Sequence, residues 1–313
     1  ITDTVREIRA AERKVVCAGQ TVEYDYLVIA FGADKLGHKG IEHTLSICGK
    51  PEISMKIRDR LDELIARGKG KIAIGFGGNP KDKSAVRGGP AFELAFNIHH
   101  HLRKKKLRQH FELTFFAPMA EPGARMGKNA MGMVNKMLDQ YGIARRFGKK
   151  ITEFTDHSVL FEDQSAVEAD LILYIPASTG HSVTQSSDLP LNEAGFIKID
   201  NYCRVPGFDG VYAIGDAAAL EGPDWIAKQG HIAELMGRNT AHNILEAERN
   251  GANFKGYQQS LDILCVMDTG NGAAFVYRKD EKSSIIPLPI VGHWLKQVWG
   301  SYSKLTKKGL IPR

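Results

Sequence analysis

The sequence predicts an α/β chain built as two doubly wound domains, one inserted in the other, plus a C-terminal region. Three observations carry that expectation. Short apolar runs end repeatedly in glycine, as at Leu27 to Phe31 before Gly32, at Ile72 to Ile74 before Gly75, and at Val211 to Ile214 before Gly215. Segments of helical period lie between these runs, most plainly Ile53, Ile57, Leu61, Leu64 and Ile65, stopped by Gly68. The 32 glycines against 12 prolines suit tight strand-to-helix turns better than a flexible linker.

Taken in order, residues 5–16 read as a ribbon of charged alternation, turned by Gly19 into one strand over 22–30 and the turn Phe31-Gly32-Ala33. The polar stretch 34–46 reads as a crossover between domains. A helix over 52–66 leads to the strand at Lys71-Ile72-Ala73-Ile74, a glycine turn, and a second helix opened by Gly88, Gly89 and Pro90. A strand over 111–117, a helix over 129–140, a segment at 142–147, a hairpin around 152–161 and a buried strand over 170–175 complete the inner domain. The outer domain resumes at Phe196 to Ile199 and at Gly210 to Asp216, followed by a helix over about 226–247, a sheet over 262–277 and an aromatic, basic tail. The expected boundaries are 1–45 and 181–250 for the outer domain, 46–180 for the inserted one and 251–313 for the C-terminal region.

At 313 residues, 43% hydrophobic and 25% charged, the composition is that of a globular chain long enough for two domains. The longest apolar runs fall far short of the roughly 20 residues of a spanning helix. The net charge is +6, yet Arg103, Lys104, Lys105, Lys106 and Arg108 have no interleaved aromatic residues and read as a solvated helix end, not a nucleic-acid surface. Four scattered cysteines, Cys17, Cys48, Cys203 and Cys265, offer no C-x-x-C or zinc spacing. His99, His100 and His101 point about 100° apart on a helix and cannot converge on one ion.

Val211 to Ala217 places Asp216 directly after a buried strand and Gly215, where a carboxylate can accept hydrogen bonds from ribityl hydroxyls and small neighbours let the chain approach a pyrophosphate. The alternative is a strand-end Asp that caps the next helix. Lys228-Gln229-Gly230-His231 then starts a helix whose N–H groups, with the lysine charge, suit an anionic ring edge.

The Tyr24 to Ala33 and Gly210 to Ala217 segments resemble the second and third flavin signatures of the pyridine nucleotide-disulfide oxidoreductase superfamily. Within it, Ser46-Ile47-Cys48, Arg87 to Glu93, and Cys265 to Gly270 leading to Ala274-Phe275 resemble the sulfide:quinone oxidoreductases. The resemblance implies two Rossmann-like dinucleotide-binding domains, FAD as cofactor, and sulfide and a membrane quinone as substrates. It places Gly32, Ala33, Gly215, Asp216, Ala217, Lys228, Gln229 and Gly230 at the flavin. Cys48 and Cys265, which as residues alone read as buried apolar side chains, become by resemblance a redox pair, with Cys48 the persulfide carrier and Cys265 the flavin-facing thiolate. Glu52 and Glu93 read as surface or packing residues ahead of a role as base. The family also has a G-x-G-x-x-G loop upstream of the position of Tyr24, and none is found there, so that loop is expected in a parent protein longer than this chain.

Pro80 occupies the place of the third glycine in the loop at Gly75 to Pro80, and no acid is clearly set for a ribose about 20 residues on, so NADH binding is not expected. In the tail, Trp294, Val298, Trp299, Tyr302 and Leu305 fall at helical spacing with Lys296, Lys304, Lys307 and Lys308 between them. Such a helix can lie in a membrane interface, which makes the expected location peripheral to a membrane; the alternative is a helix that covers the outer domain or makes a homo-oligomer. Phe275 and Tyr277 are the quinone-stacking candidates. A flavocytochrome c sulfide dehydrogenase-like flavin subunit, a type II NADH:quinone oxidoreductase and a non-catalytic scaffold remain the competing expectations.

Overall fold

A computed structural model describes residues 1–311. The chain opens with β1 (Val5–Arg9), β2 (Lys14–Cys17), β3 (Thr21–Glu23), β4 (Leu27–Ile29) and β5 (Asp34–Lys35). Next come α1 (Pro51–Arg67), β6 (Gly70–Phe76), α2 (Gly89–Lys104), β7 (Phe111–Ala117), α3 (Lys128–Gln140) and β8 (Ile143–Phe147). They are followed by β9 (Ile151–Phe154), β10 (Ser158–Phe161), β11 (Ala166–Glu168), β12 (Leu171–Ile175), β13 (Ser178–Thr179), α4 (Ser182–Gln185), β14 (Ile197–Lys198), β15 (Val211–Ala213) and β16 (Ala218–Ala219). Last are α5 (Gly230–Glu248), β17 (Ile263–Asp268), β18 (Gly272–Lys279), β19 (Lys282–Pro289) and α6 (Val291–Lys307). Two compact units share these elements: Ile1–Leu36, Gly78–Val86 and Ala177–Asp262 form the first, and Gly37–Gly77, Arg87–Pro176 and the chain from Ile263 on form the second.

In the first unit, β4 and β15 run parallel, with Leu27 opposite Val211 and Ile29 opposite Ala213. The single strand expected over 22–30 is in fact two. β3 pairs antiparallel with β2, and the chain then changes partner at Tyr24 to Tyr26, where Arg13 Nη1 donates to the Asp25 carbonyl (3.0 Å) and Leu27 N–H to the Gly210 carbonyl (2.9 Å). The helix expected from about 226 starts later, at Gly230. Gln229 before it is extended (φ −133°, ψ 150°), and the side chain of Lys228 is drawn to backbone carbonyls instead of to solvent. Ala85, Ala194, Phe196 and Ala219 form a small core in this unit, with Ala33 packed against it.

The second unit is built on a parallel sheet of order β12-β6-β7-β8. Its strands read as near-continuous apolar runs because both faces are covered: Ile72, Ile74, Phe115, Phe116 and Tyr174 are almost fully buried. Each such side chain contributes roughly 1.5–3 kcal/mol of burial. Phe92 of α2 stacks on Phe115 with centroids 4.4 Å apart and planes 6° apart, which fixes α2 on the sheet. Gly75 lies inside β6, not in the loop after it, and a Cβ there would overlap the Phe116 carbonyl of β7, so this glycine serves close strand packing. The antiparallel sheet β11-β10-β9 brings Phe154, Val159 and Phe161 onto Phe116 and Tyr174, and β17-β18-β19 forms a third sheet.

The basic cluster is only partly the solvated helix end that was expected. Arg103 and Lys104 close α2 and are exposed, but Arg108 folds back. Its guanidinium donates to His99 Nδ1 (3.0 Å) and to the carbonyls of Phe111, Tyr141 and Gly142 (2.6, 2.8 and 2.8 Å), so one side chain supplies donors to the start of β7 and to the turn after α3. His99 is buried and stacks on Tyr141 at 4.1 Å; burial first, then Arg108, hold its imidazole down to about 4. No group of three or more His, Cys, Asp or Glu among the described residues is arranged to hold a metal.

Candidate functional site

Parallel pairing of β4 with β15 sends two turns out of the same sheet edge. Ile214 N–H donates to the Ile29 carbonyl (3.0 Å), so Phe31-Gly32-Ala33 and Gly215-Asp216-Ala217 leave side by side at the carboxyl ends of the strands. Gly32 (φ +83°) and Gly215 (φ +62°) adopt backbone that other residues resist. A Cβ at Gly215 would stand 3.2 Å from the Ala233 methyl, which shows how closely the first turns of α5 approach. Asp216 is half-buried in a single 3-10 turn over Gly215–Ala217.

Lys228 is buried, and its ammonium donates to the carbonyls of Asp216 (3.2 Å) and Ala218 and lies over the Phe196 ring at 3.8 Å. The lysine therefore ties the acid-bearing turn to the residues that enter α5. Nineteen residues long, α5 begins without a side-chain cap, and a Cβ at Gly230 would meet nothing within 4 Å. An uncapped helix start with open space before it presents N–H donors and partial positive charge. Backbone that comes close at two glycines, a carboxylate at the sheet edge and a donor-rich helix end fit the ribityl, pyrophosphate and ring portions of FAD.

The second unit holds both cysteines of the expected pair. Cys48 lies in the turn that enters α1 two residues before its N-cap Lys50, and Cys265 is half-buried on β17 opposite Val276 of β18. No disulfide joins them or any other cysteine among the described residues. Burial first, and then the Glu93 carboxylate, push the Cys265 thiol up to about 11, while Lys296 acts the other way. Cys203, in the first unit, is raised further by burial, to about 12, in keeping with a structural thiol.

Around the end of β17 stands a polar network that includes Glu93, expected as a surface or packing residue, and Lys296, expected at lipid but turned instead to the Glu93 carboxylate. Glu93 Oε1 accepts the Asp268 N–H (3.0 Å) and pairs with the Lys296 ammonium of α6. Asn97 Nδ2 donates to the Glu93 carbonyl (2.8 Å) and faces the Asp268 carbonyl at 3.4 Å. The Asp268 carboxylate accepts Gly270 N–H (2.7 Å) and meets His293 Nδ1 of α6 at 2.9 Å. Glu93 and Asn97 fall at i and i+4 in the apolar first half of α2, and that polar pair is the sequence signal that would have found them.

Phe275 and Tyr277 share one face of β18, half-buried, across from Val266 and Leu264 of β17 and Ile286 and Ser284 of β19. Leu264 and Ile286 are exposed, so this face is apolar and open to solvent. Next to it, α6 exposes Trp294, Val298 and Trp299, each more than 60% accessible, together with Tyr302 and Leu305. No helix among the described residues is long and apolar enough to cross a membrane.

Among curated proteins, the chain is 28% identical over 282 residues to a sulfide-quinone reductase of Aquifex aeolicus, across 83% of this chain and 62% of that protein. It is 24% identical to a mitochondrial sulfide:quinone oxidoreductase of Schizosaccharomyces pombe, over 90% of this chain and 63% of that one. A type II NADH:quinone oxidoreductase of Haemophilus influenzae is 22% identical, over 76% and 59%. The chain thus spans less than two thirds of the length of these relatives. Of solved structures, the sulfide:quinone oxidoreductase from Aquifex aeolicus superposes with a TM-score of 0.84 at 22% identity, covering 96% of this chain and 73% of that one. An NAD-dependent persulfide reductase from A. fulgidus gives 0.63 at 20% identity, covering 89% and 49%. The sequence profile described as Pyridine nucleotide-disulphide oxidoreductase matches residues 1–241, most of the chain. With that match and the sheet edge it encloses, the chain belongs to the pyridine nucleotide-disulphide oxidoreductase family, a family of FAD-dependent oxidoreductases.

Proposed function

We propose that the protein oxidises sulfide with FAD, through Cys48 and Cys265, and passes the electrons to a membrane quinone. The observation that supports the chemistry best is the setting of Cys265: a half-buried sulfur on β17, the strand whose Asp268 N–H holds Glu93 of α2, itself paired with Lys296 of α6. In the oxidised pair, hydrosulfide attacks the Cys48 sulfur, the Cys48–Cys265 bond breaks, and the products are a Cys48 persulfide and a Cys265 thiolate. A second hydrosulfide takes the outer sulfur from the Cys48 persulfide and leaves as hydrodisulfide, which frees the Cys48 thiolate; FAD, when bound, would supply the two-electron acceptor with which the two thiolates re-form their bond. Asp216, Gly32, Ala33, Gly215 and Ala217 hold the ribityl and pyrophosphate portions. Lys228, Gln229, Gly230 and the start of α5 offset the charge that builds on the ring.

The open face of Phe275 and Tyr277 takes the quinone, and α6 lies on the membrane with its tryptophans in the interface and Lys304 and Lys307 on anionic lipid, while Lys296 stays paired with Glu93. The location is peripheral to the membrane. Names of the relatives support this reading, since two of them are sulfide and quinone enzymes.

The test is anaerobic flavin bleaching of the FAD-loaded protein. Sulfide bleaches it and a soluble quinone restores it; bleaching by NADH and not by sulfide sinks the assignment in favour of a type II NADH:quinone oxidoreductase. Cys48→Ser and Cys265→Ser each lower the sulfide rate at least about a hundredfold with FAD retained. Restoration by cytochrome c and not by quinone would favour a flavocytochrome-type flavin subunit. Trp294→Ala with Trp299→Ala weakens cosedimentation with anionic vesicles.

A further inference from the structure

Three separate stretches of the first unit hold the buried Lys228. Its N–H donates to the Ser84 carbonyl (3.3 Å), its ammonium donates to the carbonyls of Asp216 and Ala218, and the same ammonium lies over the Phe196 ring at 3.8 Å. Two of these partners, Ser84 and Phe196, lead back to one carboxylate. Asp82 Oδ1 accepts the Ser84 N–H (2.9 Å) and hydroxyl (2.6 Å), and Asp82 Oδ2 accepts the Asn192 amide at 3.0 Å. Asn192 Oδ1 in turn accepts the N–H groups of Ala194 and Phe196, both at 3.0 Å, which settles which end of the amide faces Asp82. Ala85, Ala194 and Phe196 are packed into the small core of this unit, so both arms run through well-packed backbone.

A carboxylate that only capped its own 3-10 turn, Lys83–Ala85, would need the Ser84 bonds alone. The bond to Asn192, 110 residues away in sequence, does nothing for that cap. We propose that Asp82 is a positioning residue for Lys228: through Ser84 it sets the lysine backbone, and through Asn192 it sets the Phe196 ring beneath the ammonium. The proposal rests on the preceding reading that Lys228 stands at the flavin, and one of its two readouts does not depend on where the flavin lies. Lysine is a point charge on a flexible four-carbon stem, so its field at a ring is worth most when the stem is ordered in advance by folding. With both ends of the side chain held by partners that share one carboxylate, the ammonium keeps its place as charge on the ring changes.

The test is an exchange of the two side chains. In Asp82→Asn the amide oxygen keeps the Ser84 bonds while the new NH2 group faces the Asn192 amide, donor against donor; in Asn192→Asp two carboxylates face each other. In the double variant, Asp82→Asn with Asn192→Asp, the bond re-forms with its direction reversed, and Ser84, Ala194 and Phe196 keep their acceptors. The first readout is acetylation of Lys228 by acetic anhydride in the FAD-loaded protein, followed by mass spectrometry of its peptide. Each single exchange raises that rate about fivefold, and the double variant returns within about twofold of the parent. The second is the ratio of reduced to oxidised flavin in equilibrium with a reference dye: each single exchange lowers it about threefold and Lys228→Met at least about tenfold, because less positive charge is fixed near the reduced ring. Unchanged acetylation in Asp82→Asn, or a double variant as displaced as the single ones with the thermal melt intact, overturns the proposal. Should a single exchange fail to fold, Asn192→Ser, which removes the amide donor without setting like groups face to face, shows the same fivefold rise, and its absence overturns the proposal equally. If Lys228→Met leaves the flavin ratio unmoved while the acetylation shifts stand, the placement of Lys228 at the flavin falls and the positioning role holds. If Lys228→Met lowers the ratio and neither readout responds to the exchanges, only the positioning role falls.

Discussion

The sheet edge of the first unit and the polar network of the second are assembled from different material. At β4 and β15 the site is mostly backbone: two glycine turns, one carboxylate and a helix start, each contributed by consecutive residues. Around β17 it is mostly side chain, drawn from α2, β17 and α6, which lie far apart in the sequence. A backbone-made site is fixed by conformation, so it fails when a residue cannot adopt the required φ. A side-chain-made site is fixed by pairing, so it is adjusted by charge and pH.

That contrast can be broken or sharpened by four measurements. The largest effect is expected at Gly215→Val. A branched residue at φ +62° with the Ala233 methyl 3.2 Å from its Cβ adds strain and crowding of about 3 kcal/mol. Flavin content of the purified protein should collapse; full occupancy would show that this turn is not conformation-limited. Next comes the acid response of His99. Its imidazole falls from 6.5 to about 4 on folding, so the unfolded chain binds the proton more tightly. The stabilisation is present above pH 6.5 and is lost as the pH falls toward 4, by up to about 3 kcal/mol. Urea melts of the parent should lose stability across that window, and His99→Gln should flatten the loss.

A smaller effect belongs to Asp216→Ala. Removing one charged acceptor weakens FAD binding by about 2 kcal/mol, or roughly thirtyfold, without altering the melt of the flavin-stripped protein. Smallest is Asn97→Ala, which loses the 2.8 Å bond to Glu93 and the long contact to Asp268 for about 1 kcal/mol. Flavin binding should be unchanged. A loss of flavin in this variant would mean that the two regions are not separable.

The same contrast explains what could be read from the sequence. Asp216 is legible because strand, glycine and acid are adjacent, and α1 because its apolar period ends at Gly68. The parallel pairing of β4 with β15 was not read from the sequence, although both strands end in a glycine turn. The break between β3 and β4 was not legible, because Tyr24 and Tyr26 keep the apolar alternation while hydrogen bonds from Arg13 and Leu27 redirect the backbone. Nor was the late start of α5, which depends on where the Lys228 ammonium finds carbonyls. Glu93 was discounted because a single acid on a helix is usually solvated. Its worth depends on Lys296, some two hundred residues later, and no local pattern connects the two.

Helix α6 carries exposed tryptophans on one side and Lys296 and His293 on the other. Two equilibria that share one rigid element are linked, and linkage runs both ways by the same factor. If contact with lipid alters how Lys296 holds Glu93, then that pairing alters the partition of the protein onto vesicles by the same factor. An ion pair between α2 and α6 would then help set how much of the protein rests against a lipid surface.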